Sequence, residues 1–128
     1  MLELFQTEWC PASGRVRQRL TELGLDYLNR QVPVERDQRT ALIEAAGSDT
    51  IPALRLENGS AVVGEENILS YLGEHLEEPA GAQAHRLKAA KVRRRRLEEE
   101  CASCQRLHAD RDDHVTVRRG RSSASAAS

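Results

Sequence analysis

The sequence has 128 residues, of which 39% are hydrophobic and 3% aromatic, so we expect one domain of ordinary size with a small aliphatic core. No apolar run approaches the roughly 20 residues that cross a bilayer, and no basic segment precedes an apolar one at the N-terminus, which predicts a cytoplasmic protein. Residues 1–80 carry 7 arginines against 14 acidic residues, whereas residues 81–128 carry 12 basic against 6 acidic residues, which predicts two different parts.

The first two elements are a strand and a helix. Residues 2–6 alternate between apolar and polar side chains, as a half-buried strand does. Pro11 lies near the first position of the helix that follows, whose apolar residues recur at spacings of three and four, and Gly24 is placed to end it. Cys10 therefore lies where the strand turns into the helix.

Five further elements follow in the same N-terminal part. Residues 26–32 alternate as a strand, and residues 34–46 return to helical spacing. Residues 53–56 and 61–63 are short strands around an Asn-Gly pair, the strongest short hairpin signal, and residues 65–76 have one apolar helical face. The order βαβαββα predicts an α/β fold, a four-stranded mixed sheet with helices on both faces.

The C-terminal part has a different composition. Residues 81–109 are rich in helix formers, but their apolar residues are too sparse to line a core, which predicts an exposed charged helix. Residues 110–128 end in serine and alanine, cannot bury enough apolar surface, and are predicted to be disordered. We therefore expect a folded domain over residues 1–80, with a helix and a tail appended to it.

Cys10 is the candidate nucleophile. A helix start directs unpaired backbone N–H groups toward its sulfur, and thiolates in such positions have pKa values of roughly 3.5–7.5, against about 8.5 for free cysteine. Ser13 can donate its hydroxyl to the thiolate, but it cannot form the disulfide of a Cys-x-x-Cys pair. The predicted chemistry is therefore monothiol. The alternative is that Cys10 is a small apolar residue at a buried turn.

Three short motifs accompany this order of elements. They are Trp9-Cys10-Pro11-Ala12-Ser13, Thr50-Ile51-Pro52 and Gly64-Glu65-Glu66-Asn67-Ile68. Together with the βαβαββα order, they make the chain resemble the glutaredoxins and the closely similar N-terminal, glutathione-binding domain of glutathione S-transferases. The resemblance covers about residues 1–76. It implies a thioredoxin-like fold with a cis peptide bond before Pro52.

The resemblance also implies a site for glutathione or another low-molecular-weight thiol. Cys10 and Pro11 would lie against the thiol at the start of the helix. The main chain of Ile51, held by Pro52, would pair with the cysteinyl part of glutathione. No metal cofactor is expected.

The two ends of glutathione would be bound elsewhere. By the same resemblance, Gly64, Glu65 and Glu66 would hold the γ-glutamyl end, where a carboxylate can pair with the ammonium and helix amides can take the carboxylate. Glu65 replaces the small polar residue common to both groups. A basic side chain would bind the glycyl carboxylate, for which Arg39 is the candidate and Arg36 the reserve.

The charged C-terminal segment has several interpretations. Arg94, Arg95 and Arg96 stand four residues before Glu98, Glu99 and Glu100 and can pair with them along a solvated helix. The four adjacent arginines can also neutralise phosphates of a nucleic acid, but no aromatic residue interleaves them to stack bases. Cys101, Cys104 and His108 share one helical face and can in principle bridge a metal, or the two thiols can resolve a disulfide. We expect these three residues to be exposed and to have no such role.

The sequence thus predicts a glutaredoxin-like thiol-disulfide oxidoreductase. Cys10 would take up a small thiol from a mixed disulfide with a protein, and a second small thiol would release it. Its expected partners are small thiols and disulfide-containing proteins, and no association with a membrane is expected. The alternatives are a non-catalytic glutathione-binding or protein-interaction module, or a nucleic-acid-associated protein that uses the basic tail. Because 48 residues follow Ala80, we do not expect the helical domain of a complete transferase.

Overall fold

The computed structural model describes the main chain of residues 1–113 and the side chains of residues 1–97. Its strands are β1 (Leu2–Gln6), β2 (Tyr27–Gln31), β3 (Ala53–Arg55) and β4 (Ala61–Val63). Its helices are α1 (Pro11–Glu22), α2 (Thr40–Ala46), α3 (Glu65–His75) and α4 (Ala82–Asp113). The first seven of these elements follow the predicted βαβαββα order.

The four strands form one mixed sheet in the order β2-β1-β3-β4. β1 runs parallel to β2 and antiparallel to β3, and β3 pairs with β4 through the predicted hairpin, with Ala53 opposite Val63. Gly59 has a φ of 92° in that hairpin, a conformation that glycine adopts without a steric penalty. The arrangement confirms the thioredoxin-like fold.

Helices cover both faces of the sheet, because successive side chains of a strand point to opposite faces. Leu4 and Leu54 pack with the apolar stripes of α1 and α3 in one core. Phe5 and Ala53 pack with Leu42 of α2 in the core on the other face. β1 is therefore buried on both faces, and this central strand leads directly to Cys10.

The second helix is shorter than the sequence predicts. The sequence predicts a helix over residues 34–46, but α2 begins only at Thr40, after a 3₁₀ turn at Arg36–Gln38. Arg39 separates the two with a ψ of 53°, and its side chain donates to the carbonyls of Pro33 and Val34. Because a side chain takes these carbonyls, a continuous helix does not form there.

The folded unit extends beyond the predicted boundary at residue 80. Residues 1–89 form one compact unit, and the remainder of the chain forms a second. Ala82 is buried, and Arg86 donates to the carboxylates of Glu22 and Glu78. α4 continues to Asp113, so residues 110–113 are helical rather than disordered, while residues 114–128 lie outside the described part. None of the described helices combines the length and apolar character needed to cross a bilayer.

A cluster of charged side chains holds the start of α4. The carboxylate of Glu22 is 5% exposed and lies 2.9 Å from both Arg19 and Arg86. Burial raises the pKa of Glu22, but hydrogen bonds from Gln18 and the two arginines lower it by more. Hydrogen bonds from Arg86 and Arg19 also lower the pKa of Glu78 to about 2.

Replacing Arg86 by Gln should lower the free energy of unfolding at pH 7 and with it the urea midpoint. Glu22 would then keep a nearly buried charge with one arginine fewer. Lys88→Gln removes the same charge from an exposed position on the same helix, and should change the stability by less than about 0.5 kcal/mol. Urea denaturation measures both variants, and equal losses in the two would contradict the assigned role of Arg86.

The stability difference between wild type and Arg86→Gln should become smaller as the pH falls. Folding lowers the pKa values of Glu22 and Glu78, so their ion pairs stabilise the fold above the unfolded value of about 4.3. This stabilisation is lost as the pH falls through the folded values. The wild-type and Arg86→Gln urea midpoints should therefore converge toward pH 2. A difference that stays constant down to that pH would show that the ion pairs are not its cause.

Candidate active site

Cys10 is the N-cap residue of α1. Its backbone is extended, with φ −79° and ψ 118°, and Pro11 follows at the first position of the helix. The sulfur Sγ accepts a hydrogen bond from the backbone N–H of Ser13 at 3.4 Å, and the carbonyl of Cys10 accepts one from Gly14 at 3.0 Å. The thiol is only partly buried. A sulfur that caps a helix and remains accessible to solvent fits a reactive cysteine better than a purely structural one.

The surroundings of Cys10 favour its thiolate. Burial raises the pKa of Cys10, but hydrogen bonds from the Ser13 hydroxyl and from the N–H groups of Ser13 and Ala12, together with the positive charge of Arg15, lower it by more. The Ser13 side chain is fully buried, and its Oγ has no other hydrogen-bond partner among the described residues. Its proton is therefore available to the sulfur when Cys10 ionises.

Arg17 holds the connection between β1 and Cys10. Its Nη1 donates to Gln6 Oε1 and, at 3.4 Å, to the carbonyl of Thr7, while its Nη2 donates to Glu8 at 3.1 Å. Trp9, between this segment and the cysteine, is 62% exposed. Arg17 could not be predicted from the sequence, because its spacing from Cys10 carries no signal until helix and strand are packed together.

The predicted proline motif lies at the same end of the sheet. The Ile51–Pro52 bond is cis, which confirms the expectation drawn from the family resemblance. Ala53, the next residue, is paired with Phe5 of β1, so Pro52 lies beside the end of β1 that leads to Cys10. The carbonyl of Pro52 accepts a hydrogen bond from the N–H of Gly64 at 2.9 Å. This bond ties the proline turn to the start of α3.

The start of α3 carries the other predicted binding residues. Gly64 is its N-cap and has a φ of 94°, which favours glycine over residues with a side chain. Glu65 makes a two-point contact with Arg15 of α1, from Nε to Oε2 and from Nη2 to Oε1 at 3.0 Å. This contact lowers the pKa of Glu65. Glu66 is exposed in the first turn of the helix, where the dipole favours acids.

Arg39 does not have the position expected for a ligand-binding residue. It is only 6% exposed, and it donates to the carbonyls of Pro33 at 2.8 Å, Asp49 at 2.8 Å and Val34 at 3.0 Å. Because its guanidinium already donates to three backbone carbonyls, Arg39 is not placed to make the expected contact with a glycyl carboxylate. Arg36 is 64% exposed and pairs with Asp49 at 2.7 Å, so it stays the candidate for that contact.

The described side chains contain no group of three or more His, Cys, Asp or Glu residues arranged to hold a metal ion. The side chains of Cys101, Cys104 and His108 lie outside the described residues. Their predicted alternatives, a metal site or resolving thiols, therefore stay predictions.

Comparison with known proteins agrees with this geometry. Residues 9–75 match the family model of the glutathione S-transferase N-terminal domain. Among solved structures, a glutathione transferase family member from Pseudomonas fluorescens with bound glutathione is 28% identical, with a TM-score of 0.54, over 72% of this chain and 49% of that one. A glutathione S-transferase from Rhodospirillum rubrum is 25% identical, with a TM-score of 0.52, over 66% and 40%.

A buckwheat glutaredoxin-glutathione complex is 22% identical over 57% of this chain and 68% of that one, with a TM-score of 0.47. The chain spans less than half the length of the two transferases. None of the curated proteins matches the sequence.

Ser13→Ala should raise the pKa of Cys10, because the thiolate loses the hydrogen bond from the hydroxyl. In chains whose Cys101 and Cys104 are replaced by Ser, alkylation by iodoacetamide should be slower than wild type at pH 7. The two rates should become equal near pH 10, where the thiol is ionised in both.

Ser70→Ala is the matched control, because this serine is exposed on α3 and contacts Glu74 rather than Cys10. The same dependence of rate on pH in Ser13→Ala, Ser70→Ala and wild type would contradict the assigned role of Ser13. A Ser13→Ala rate that stays low at pH 10 would indicate reduced access to the sulfur rather than a changed pKa.

Proposed function

The chain belongs to the glutathione S-transferase N-terminal domain family, and we propose that it acts as a glutaredoxin-like thiol-disulfide oxidoreductase with Cys10 as its nucleophile. The observation that carries this proposal is the hydrogen bond from the N–H of Ser13 to a partly exposed sulfur that caps α1. A thiolate stabilised in this way attacks disulfides at neutral pH. Glutathione, bound by a relative of the same family, is the proposed co-substrate.

The proposed reaction has two exchange steps. The Cys10 thiolate attacks the glutathione sulfur of a mixed disulfide between glutathione and a protein, and the protein thiolate leaves and takes up a proton. A second glutathione, as its thiolate, then attacks the glutathione sulfur bound to Cys10. This step releases glutathione disulfide and restores the Cys10 thiolate. The protein substrate is reduced by two electrons and two glutathione sulfurs are joined, so neither step needs a second cysteine.

We also propose where glutathione binds. The main chain of Ile51, next to Pro52, would pair with its cysteinyl part as a strand edge does, and the turn at Gly64 would hold its γ-glutamyl end. The hydrogen bond between Gly64 and Pro52 supports this arrangement, because it places the two segments side by side. Disulfide-containing proteins of the cytoplasm are the proposed substrates.

The rate at which the chain turns over a glutathionylated peptide tests this proposal directly. The chain should accelerate the reduction of a glutathionylated peptide by glutathione, and Cys10→Ser should lower the rate to that of glutathione alone. A chain with Ser at both Cys101 and Cys104 is the matched control, and should keep the wild-type rate because the exchange uses Cys10 only.

Loss of turnover in that control would mean that the other two thiols resolve the intermediate. If the wild-type chain gives no turnover but glutathione changes the fluorescence of Trp9, the only tryptophan, the chain is a binding module rather than an enzyme.

A further inference from the structure

The loop between β1 and Cys10 is tied down at one main-chain oxygen. The N–H of Cys10 donates to the carbonyl of Thr7 at 3.4 Å, which is long for such a bond and weak by itself. The Nη1 of Arg17 donates to the same carbonyl, also at 3.4 Å. A donor from the main chain of Cys10 and a donor from α1 therefore meet at a single oxygen of the loop.

Arg17 reaches this loop from within α1. It lies about two turns after Cys10, and the side chains of a helix lean toward its N-terminus, so the guanidinium comes back over the loop. Its Nη1 also donates to Gln6 Oε1, and its Nη2 donates to Glu8 at 3.1 Å. The Glu8 side chain is 80% exposed, so solvent screens that ion pair. The contacts with Gln6 and Thr7 therefore matter most for the position of the loop.

Gln6 is an unusual residue for its place in the fold. It is the last residue of β1 and is completely buried, like the leucine and phenylalanine before it in the strand. Its Nε2 has no hydrogen-bond partner among the described residues, and the buried hydroxyl of Thr7 lacks one there as well. Burying an unpaired amide N–H costs free energy that an apolar side chain would avoid. The contact with Arg17 is what this glutamine provides in return.

We propose that Gln6 and Arg17 are positioning residues for Cys10, and we call the pair the Gln6–Arg17 clamp. The clamp holds the Thr7 carbonyl, which accepts the hydrogen bond from the N–H of Cys10. The sulfur of Cys10 therefore stays at the N-cap position, where the N–H of Ser13 reaches it. This inference rests on the proposed function, to which it adds two residues that act through the loop rather than on the sulfur.

Opening the clamp has a defined consequence. The loop then samples other conformations, and the sulfur is activated only in the fraction of molecules that keeps the N-cap geometry. Cys10 becomes a weaker acid and a slower nucleophile near neutral pH. Trp9 reports the motion of the loop, because it is the only tryptophan of the chain and directly precedes Cys10.

The main test is Gln6→Met in the full chain, with Ser at both Cys101 and Cys104. Methionine is unbranched and as long as glutamine but has no amide, so the change opens the clamp without altering any charge. The pKa of Cys10, from the dependence of iodoacetamide alkylation on pH, should rise by at least about 0.5. Alkylation below both pKa values is then about threefold slower. The two rates should become equal near pH 10, and the polarisation of Trp9 fluorescence should fall.

Arg17→Gln removes the other half of the clamp and should move the pKa of Cys10 and the polarisation of Trp9 in the same directions. In the double variant the two effects should be clearly less than additive, because either change alone opens the clamp. Fully additive effects would show that Gln6 and Arg17 act separately, and would overturn the proposed pair.

Glu8→Gln separates position from charge. It removes the exposed carboxylate that pairs with Arg17 but leaves the contacts of Arg17 with Gln6 and Thr7, so the pKa of Cys10 should stay within about 0.2 of the unsubstituted value. Arg30→Gln, which breaks an exposed ion pair with Glu3, is the matched control for loss of an arginine and should also leave it unchanged. A Glu8→Gln shift as large as that of Arg17→Gln, but opposite in sign, would assign the effect to charge and overturn the clamp.

Circular dichroism and urea denaturation establish that each variant is folded. Arg17 is partly exposed, so Arg17→Gln decides the question if Gln6→Met does not fold. An unchanged Cys10 pKa in a folded clamp variant would overturn the inference and leave the proposed function standing. The reaction of wild type with glutathione disulfide is measured in parallel. Its absence would overturn the proposed function, whereas the alkylation profiles would still decide whether the clamp positions Cys10.

Discussion

The hydrogen bond from the N–H of Ser13 to the sulfur of Cys10 is the interaction on which the proposed chemistry of this molecule depends. It exists because β1, buried on both faces, ends directly before α1 and leaves Cys10 as the N-cap residue. Side-chain oxygens usually serve this position, and a sulfur there gains the same donors together with a favourable dipole. The structural cap of the helix and the proposed nucleophile are therefore one residue.

The other contacts of the site fix what surrounds that sulfur. The Gly64–Pro52 hydrogen bond places the cis-proline turn beside the start of α3, and the Arg15–Glu65 pair connects that start back to α1. Two helix N-termini, both favourable for anions, thus face one end of the sheet.

Local patterns in the sequence predict most of the fold. Apolar periodicity gives the order of the elements, the Asn-Gly pair gives the hairpin, and family resemblance gives the cis bond at Pro52. The features that the sequence did not predict have a common cause, because each depends on a side chain that contacts a distant segment. Arg39 interrupts a helix by binding carbonyls on both sides of it, and Arg15 meets Glu65 across 50 residues. Such contacts depend on which faces adjoin, and periodicity does not report that.

If the start of α1 makes Cys10 the reactive thiol of the chain, Cys101 and Cys104 provide the comparison within the wild-type protein. At pH 6 an ordinary cysteine is less than about 1% thiolate. The direct measurement is peptide mapping by mass spectrometry after brief exposure to glutathione disulfide at that pH. We expect glutathione to appear on Cys10 well before it appears on the other two cysteines. Equal labelling of all three, or none on Cys10, would contradict it.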